Sequence, residues 1–192
     1  AYLVGTLDKK LSVPRVKGTR WDFYVDSDHA GDREFGNTRS RTGVMLMCNG
    51  MEFHWRSSKQ PETAMSSAAA EIVAMSECMK DVRLRMWIAE EAGIPIEWPV
   101  KIQVDNKAAV NFQNNMSPQT KMKGIFDMRN GWLKELQDKN RFKVVKVPTE
   151  KNLADIMTKP LTPIARGELE TEHSRTKALV VGTFRGQVRV ST

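Results

Sequence analysis

The sequence is poor in the residues that build metal–thiolate sites and disulfide frameworks. Only two of its 192 residues are cysteine, Cys48 and Cys78, they do not form a Cys-x-x-Cys pair, and histidine occurs three times. A zinc site and a disulfide-stabilised fold are therefore not expected. Two thiols in a chain of this size indicate a reduced, intracellular protein.

Long apolar runs and targeting signals are also missing. The longest apolar stretches are too short to cross a bilayer, so no membrane segment is expected. The opening AYLVGTLDKK lacks the basic start, apolar core and cleavage site of a secretory signal. The chain does not begin with Met, which is compatible with a piece of a longer protein.

The composition that remains indicates a globular, basic protein. Hydrophobic residues make up 40% of the chain, enough for one domain with a core. The net charge is +7 and the isoelectric point about 9.5, which favours polyanionic partners, nucleic acid first. On charge alone, a soluble protein that happens to be basic is an equally good interpretation.

Alternating apolar residues predict five strands. The first spans 21–27, and GVMLMCNGMEFHW predicts two more, joined at Asn49-Gly50, a strong hairpin signal. VKIQVDN and RFKVVKVP predict the fourth and fifth. Three strands in a meander, followed by alternating elements, predict a mixed sheet with helices on its faces.

Helical periodicity is clearest over residues 66–92, where Ser66 or Ser67 is the predicted cap and Gly93 the stop. One stripe of this helix is apolar: Met75, Cys78, Val82, Met86 and Ala89. Shorter helices are predicted at 106–114, 125–138 and 149–158. Residues 163–192 have weak periodicity, with ALVVGTF and GQVRV as possible short strands.

Four carboxylates stand at the ends of strands and in helices of this arrangement: Asp26, Glu71, Asp105 and Asp155. Asp26 and Asp105 end apolar strands and become neighbours if the first and fourth strands are parallel and adjacent. Glu71 continues the apolar stripe by one turn, although periodicity alone favours a plain first-turn glutamate. Carboxylates without cysteine or histidine suit Mg²⁺ or Mn²⁺. Acids that lie far apart, or are buried in salt bridges to lysine or arginine, would contradict this hypothesis.

Several phrases resemble the ribonuclease H domain of copia-type retrotransposon polyproteins. The similarity covers roughly residues 2–162, and its most specific phrase is the last of the following: YVDSDHAGD, TRSRTGVMLM, FHWRSSKQPETAMSSAAAEIVAMSE, VDNKAAV and VPTEKNLADIMTKPL. The resemblance implies an α/β, ribonuclease H-like fold with a five-stranded mixed sheet, an antiparallel meander and helices on both faces. It further implies an extension over residues 1–20, a domain over 21–162 and a tail over 163–192.

The resemblance implies a nuclease that cuts the RNA strand of RNA–DNA hybrids with two Mg²⁺ ions, for which Mn²⁺ can substitute. Asp26 would bridge both ions, Glu71 and Asp105 would bind one, and Asp155 the other. The phrase AEAEY of the family is replaced by Ala68-Ala69-Ala70-Glu71-Ile72, which keeps the catalytic acid. No histidine occurs in Thr149–Asn152, so water or Glu150 is expected to handle the proton at the leaving group.

Basic residues in polar loops are candidate phosphate contacts for the hybrid, although each is individually more typical of a solvated charge: Arg39, Arg41, Lys59, Lys121 and Lys123. The expected partners are an RNA–DNA hybrid and the rest of the reverse transcriptase polyprotein, in the cytoplasm (within a virus-like particle) or the nucleus. The alternative is a captured domain that serves as a binding or structural subunit of a larger assembly, without catalysis. Another nuclease or an integrase of the same fold explains the phrases less well.

Overall fold

The computed structural model describes residues 19–29, 38–115 and 125–159, the last range with side chains from Met128 onward. The proposed extension, the boundary at 162, the strands proposed in the tail, and Lys121 and Lys123 lie outside these residues. Those expectations, and the contacts of the tail that bear on the subunit hypothesis, remain predictions.

The sheet has five strands, as predicted. They are β1 (Trp21–Asp28), β2 (Arg41–Cys48), β3 (Met51–Lys59), β4 (Val100–Val104) and β5 (Phe142–Lys146). Their spatial order is β3-β2-β1-β4-β5. The first three strands pair antiparallel, whereas β4 pairs parallel to both β1 and β5. The meander and the mixed sheet are therefore confirmed.

The hairpin between β2 and β3 turns at Asn49-Gly50, as expected. Asn49 has φ 53° and Gly50 has φ 76°, so both central residues adopt the left-handed conformation that a tight two-residue hairpin requires. Asn and Gly are the residues that reach this region at least cost.

Three α-helices share one face of the sheet: α1 (Ser67–Glu91), α2 (Lys107–Asn114) and α3 (Ile125–Asp138). Ser66 caps α1 by accepting a hydrogen bond from the backbone N–H of Ala69 at 3.1 Å. All five residues of the predicted apolar stripe are buried. All of them except Ala89 belong to one core cluster with Phe23, Val25 and Ile102 of the sheet, which fixes the rotation of α1 about its axis. None of the helices in the described ranges is long and apolar enough to span a membrane.

Ion pairs hold α1 against its neighbours. The guanidinium of Arg56 on β3 contacts Oδ2 of Asp81 at 2.8 Å. Oε1 of Glu77 accepts from Nη1 of Arg129 on α3 at 3.4 Å. These contacts and the buried stripe together fix where the first turn of α1, which carries Glu71, meets the sheet.

The predicted last helix is instead two 3₁₀ turns, Thr149–Lys151 and Leu153–Met157. The break is at Asn152, whose backbone is extended (φ −80°, ψ 99°). The side-chain amide nitrogen of Asn152 donates to the carbonyl of Val25 on β1 at 3.1 Å, and its side-chain oxygen accepts from the backbone N–H of Ala154. A continuous α-helix would not allow this anchor. Leu153 and Met157 pack on Met45 and Met47, so the 3₁₀ segment covers the second face of the sheet.

Candidate metal centre

Asp26 and Asp105 are brought together by the parallel pairing of β1 and β4. Tyr24 lies opposite Gln103, and each aspartate lies two residues further along its strand. Because parallel strands present their carboxyl ends at the same edge of the sheet, the two side chains meet there. Asp26 is only 1% exposed.

Asp155 approaches the same edge from the 3₁₀ segment. One carboxylate oxygen from each of Asp26, Asp105 and Asp155 lies within 4.8 Å of the others. Asn152 contributes to this approach because its hydrogen bond to β1 fixes the start of the turn that carries Asp155. Three of the four acids singled out in the sequence therefore form one cluster.

Glu71 lies beside this cluster rather than within it. Its side chain is buried in the first turns of α1, with 4% exposure, and it does not join the group whose oxygens lie within 4.8 Å. Burial raises the pKa of Glu71 well above its ordinary value, and repulsion from Asp26 and Asp105 adds to the rise. Hydrogen bonding to Ser27 opposes the rise. The glutamate is thus electrostatically linked to two members of the cluster.

Two members of the cluster, Asp26 and Asp155, have raised pKa values. Burial, together with repulsion from Asp26, raises the pKa of Asp155 to about 7, against the opposing charge of Lys159. Burial also raises the pKa of Asp26, against the opposing hydrogen bond from Thr158 and the charge of Lys159. Carboxylates with raised pKa values, gathered at one edge of a sheet, are typical of functional sites.

Gly43 of β2 makes room for the 3₁₀ segment beside the acids. It lies opposite Asp26 in the β1–β2 register. A Cβ atom at this position would lie 2.7 Å from the carbonyl oxygen of Ala154 and 2.8 Å from Cβ of Met157. The missing side chain therefore permits the close approach that brings Asp155 to Asp26.

We expect Gly43→Ala to destabilise the protein by about 1–3 kcal/mol, because the added methyl group overpacks this contact. The segment that carries Asp155 would also have to move away from Asp26. Gly131→Ala on α3 is the matched control, because no described atom lies within 4 Å of a Cβ there. Denaturant unfolding of both variants measures the effect, and equal stability of the two would contradict this role of Gly43.

Two residues of the site were not singled out in the sequence, Thr158 and Lys159. The Thr158 hydroxyl donates a short hydrogen bond to Oδ2 of Asp26. Nζ of Lys159 lies 3.5 Å from Oδ2 of Asp26 and 3.3 Å from Oδ2 of Asp155. A signal existed, because Lys159 follows Asp155 by four residues, the spacing of a helical ion pair.

These lysine contacts do not bury the cluster in salt bridges. One partly exposed ammonium contacts two of the four acids, and two buried oxygens, Oδ1 of Asp155 and Oε2 of Glu71, have no hydrogen-bond partner. Burial of the acids in salt bridges would contradict the metal hypothesis. The structure shows this only in part, because a single lysine contacts one side of the cluster.

Three of the five basic candidates lie in described residues. Arg39 is exposed beside β2, and Arg41 lies opposite Asp28 on one side and Lys59 on the other. Residues paired across antiparallel strands point to the same face. Arg41 is two residues from Gly43, which lies opposite Asp26. Arg41 therefore lies on the same face and at the same end of the sheet as Asp26.

A groove of about 630 Å³ lies elsewhere, between α1 and α3, and none of the four acids lines it. Two tryptophan rings in the groove are covered by guanidinium groups. Arg83 lies 5.9 Å from the ring centre of Trp132, and Arg141 lies 4.9 Å from that of Trp98. The groove is separate from the carboxylate cluster.

Comparisons with known proteins give relatives in both sequence and structure, although no family model matches. The chain is 32% identical over 162 residues to a retrovirus-related Pol polyprotein from transposon TNT 1-94 of Nicotiana tabacum, covering 82% of this chain. It is 27% identical over 164 residues to the Pol polyprotein from transposon RE2 of Arabidopsis thaliana, covering 85% of this chain. The chain spans 12% and 11% of the length of these relatives.

Solved structures of ribonucleases H share the fold. LC11-RNase H1 in complex with an RNA/DNA hybrid superposes with a TM-score of 0.54 at 18% identity, over 72% of this chain and 94% of that one. Another structure of LC11-RNase H1, isolated from compost, gives 0.53 at 19% identity, over 72% of this chain and 92% of that one. The chain is therefore a ribonuclease H-like domain homologous to part of the Pol polyproteins of copia-type retrotransposons, as the phrases of its sequence indicated.

Proposed function

We propose that this domain hydrolyses the RNA strand of RNA–DNA hybrids with the help of two divalent cations. The observation that carries the proposal is the convergence of Asp26, Asp105 and Asp155, whose oxygens lie within 4.8 Å of one another, with Glu71 electrostatically linked to them. Like charges gathered in this way raise the free energy of the metal-free protein, and cations would lower it.

The residues fit Mg²⁺, with Mn²⁺ as a substitute. All four side chains offer carboxylate oxygens, which hard divalent cations prefer. Oδ1 of Asp155 and Oε2 of Glu71 are buried without a hydrogen-bond partner, and such atoms are costly unless something compensates them. A bound cation is the compensation that this chemistry favours.

Each residue has a distinct task in the proposed reaction. Asp26 would contribute to both cation sites, Asp105 and Glu71 would hold one cation and Asp155 the other, and the Thr158 hydroxyl holds the carboxylate of Asp26 in orientation. Asn152 and Gly43 keep the segment that carries Asp155 close to β1 and β2. When bound, the two cations activate the attacking water and stabilise the leaving oxygen. The expected products carry a 5′-phosphate and a 3′-hydroxyl.

Recognition of the hybrid would rest on its shape, its phosphates and the 2′-hydroxyls of the RNA strand. Arg41 and Lys59 are paired positions at the end of the sheet that carries Asp26, which suits phosphate contacts next to the scissile bond. The structurally similar LC11-RNase H1 was solved with an RNA/DNA hybrid, and we extend that partner to this chain. The rest of a Pol polyprotein is the second proposed partner.

The test is cleavage of matched duplexes of one sequence, each labelled at one end. We expect Mg²⁺-dependent cleavage of the RNA strand in the hybrid, and none of the RNA duplex or the DNA duplex. A chelator and the Asp105→Asn variant serve as negative controls. If the parent protein binds the hybrid and cleaves nothing in Mg²⁺ or Mn²⁺, the nuclease proposal is wrong and a binding subunit becomes the better interpretation.

A further inference from the structure

The ammonium of Lys159 lies where the proposed cations would otherwise meet the carboxylates. Its Nζ is 3.3 Å from Oδ2 of Asp155 and 3.5 Å from Oδ2 of Asp26. Neither Glu71 nor Asp105 forms an ion pair with it within 4.0 Å in the described part of the chain. The lysine therefore pairs directly with Asp26 and Asp155, whereas its charge reaches Asp105 only through space.

The contact is built so that the lysine is able to leave. Charge-assisted hydrogen bonds between an ammonium and a carboxylate are usually about 2.7–2.9 Å long, and both distances here are greater. The Lys159 side chain is 36% exposed, and its flexible stem allows the ammonium to move into water without unfolding the 3₁₀ segment. Asp26 and Asp155 are held in place independently of it, by Thr158 and by the anchor at Asn152.

The single positive charge of Lys159 is too small to balance the acids of the cluster. In the described residues Lys159 pairs with two of the four carboxylates, and the partnerless oxygens of Asp155 and Glu71 point to further cation binding. Nζ of Lys146 contacts Asp105 through the backbone carbonyl, at 3.1 Å. In the described residues, a divalent cation held by Glu71 and Asp105 would therefore meet no ammonium paired with either of their carboxylates. A cation bound at Asp155 has to compete with Lys159 for the oxygens of Asp26 and Asp155.

We propose that Lys159 is an internal counter-cation that occupies the Asp155 half of the centre and is displaced when the second divalent cation binds. This inference rests on the proposed metal-dependent function. The proposed function alone does not predict how the two cations bind. The displacement of Lys159 predicts that they bind in two steps of unequal affinity, and that the weaker step includes this displacement.

The test is Mn²⁺ binding to the metal-free full chain, measured by calorimetry and by the electron paramagnetic resonance of free Mn²⁺. Lys159→Met should tighten the weaker step by about fivefold, the equivalent of about 1 kcal/mol for a partly exposed ion pair, and leave the tighter step unchanged. Its melting temperature in a chelator should fall below that of the parent protein. Lys159→Arg, which keeps the charge, should bind Mn²⁺ as the parent does.

Lys143→Met is the matched control, because Lys143 is exposed on β5 and its removal changes the net charge equally. Lys159→Gln repeats the measurement should the methionine variant not fold. If Lys159→Met binds as the parent or more weakly, or if Lys143→Met tightens binding equally, the inference is wrong while metal binding stands. If neither the parent nor the Lys159 variants bind Mn²⁺, the inference and the proposed function fail together.

Discussion

Replacing Asp26 by asparagine should reduce cleavage of an RNA–DNA hybrid at least about 1,000-fold and, in a chelator, raise the melting temperature. On the proposed function, the loss follows because Asp26 lies within the group of converging oxygens and would contribute to both cation sites. Bound metal ions supply several kcal/mol of transition-state stabilisation, each 1.4 kcal/mol being about tenfold in rate. The gain in stability follows because the variant removes a carboxylate that is 1% exposed and repelled by Asp105.

Asp28→Asn is the matched control for this experiment. Asp28 lies on the same strand and the same face, two residues further on, but outside the group of converging oxygens. Its replacement should change the cleavage rate by less than about threefold and leave the metal-free melting temperature unchanged. Single-turnover cleavage and thermal unfolding in a chelator measure both effects. Cleavage by Asp26→Asn within tenfold of the parent would remove Asp26 from the proposed site.

The sheet and the position of Glu71 were open to prediction because their signals are local. Asn49-Gly50 specifies a hairpin by the conformations its residues accept, and the stripe from Met75 to Ala89 sets which side of α1 is buried. Once that side is known, Glu71 has to face the sheet. The meeting of Asp26 and Asp105 required one further assumption, parallel pairing of β1 and β4, which the structure bears out.

The second face of the sheet was less predictable because it depends on contacts between distant residues. The helical pattern over residues 149–158 does not reveal that Asn152 leaves the helix to bind β1, 127 residues earlier in the chain. Likewise, nothing near Gly43 indicates that its missing side chain accommodates the segment that carries Asp155. The contact of Lys159 with Asp26 was hidden for the same reason, since it exists only after the segment has docked, although the four-residue spacing signalled its pair with Asp155.

The metal-free protein should lose stability as the pH rises from about 5 to about 8, and Mg²⁺ should restore it. Burial raises the pKa of Asp155 from 3.8 to about 7, and the pKa values of Asp26 and Glu71 are raised in the same direction. An acid whose pKa is higher in the folded state than in the unfolded state binds its proton more tightly when folded. Its stabilising effect is therefore complete below the unfolded value and is lost as the pH rises through the folded value.

The size of this loss follows from the pKa shifts. Each pKa unit corresponds to about 1.4 kcal/mol of the free energy of unfolding. The ionised cluster should therefore lower that free energy by on the order of a few kcal/mol at about pH 8 in the metal-free protein. For a chain of this length, that corresponds to a fall of roughly 10 °C in melting temperature. The charge of Lys159 does not alter the trend, because the pKa of this lysine is raised above 10.5 and the ammonium stays protonated throughout.

Thermal unfolding at both pH values, with a chelator or with Mg²⁺, tests the prediction. Glu52→Gln is the control, because burial also raises the pKa of Glu52 to about 7 on β3, away from the cluster. That variant should flatten part of the pH dependence without reducing the rescue by Mg²⁺, since Glu52 lies outside the proposed cation site. The opposite trend, a metal-free protein more stable at about pH 8 than at about pH 5, would show that the four acids carry no uncompensated charge and that cations are not needed to hold them together.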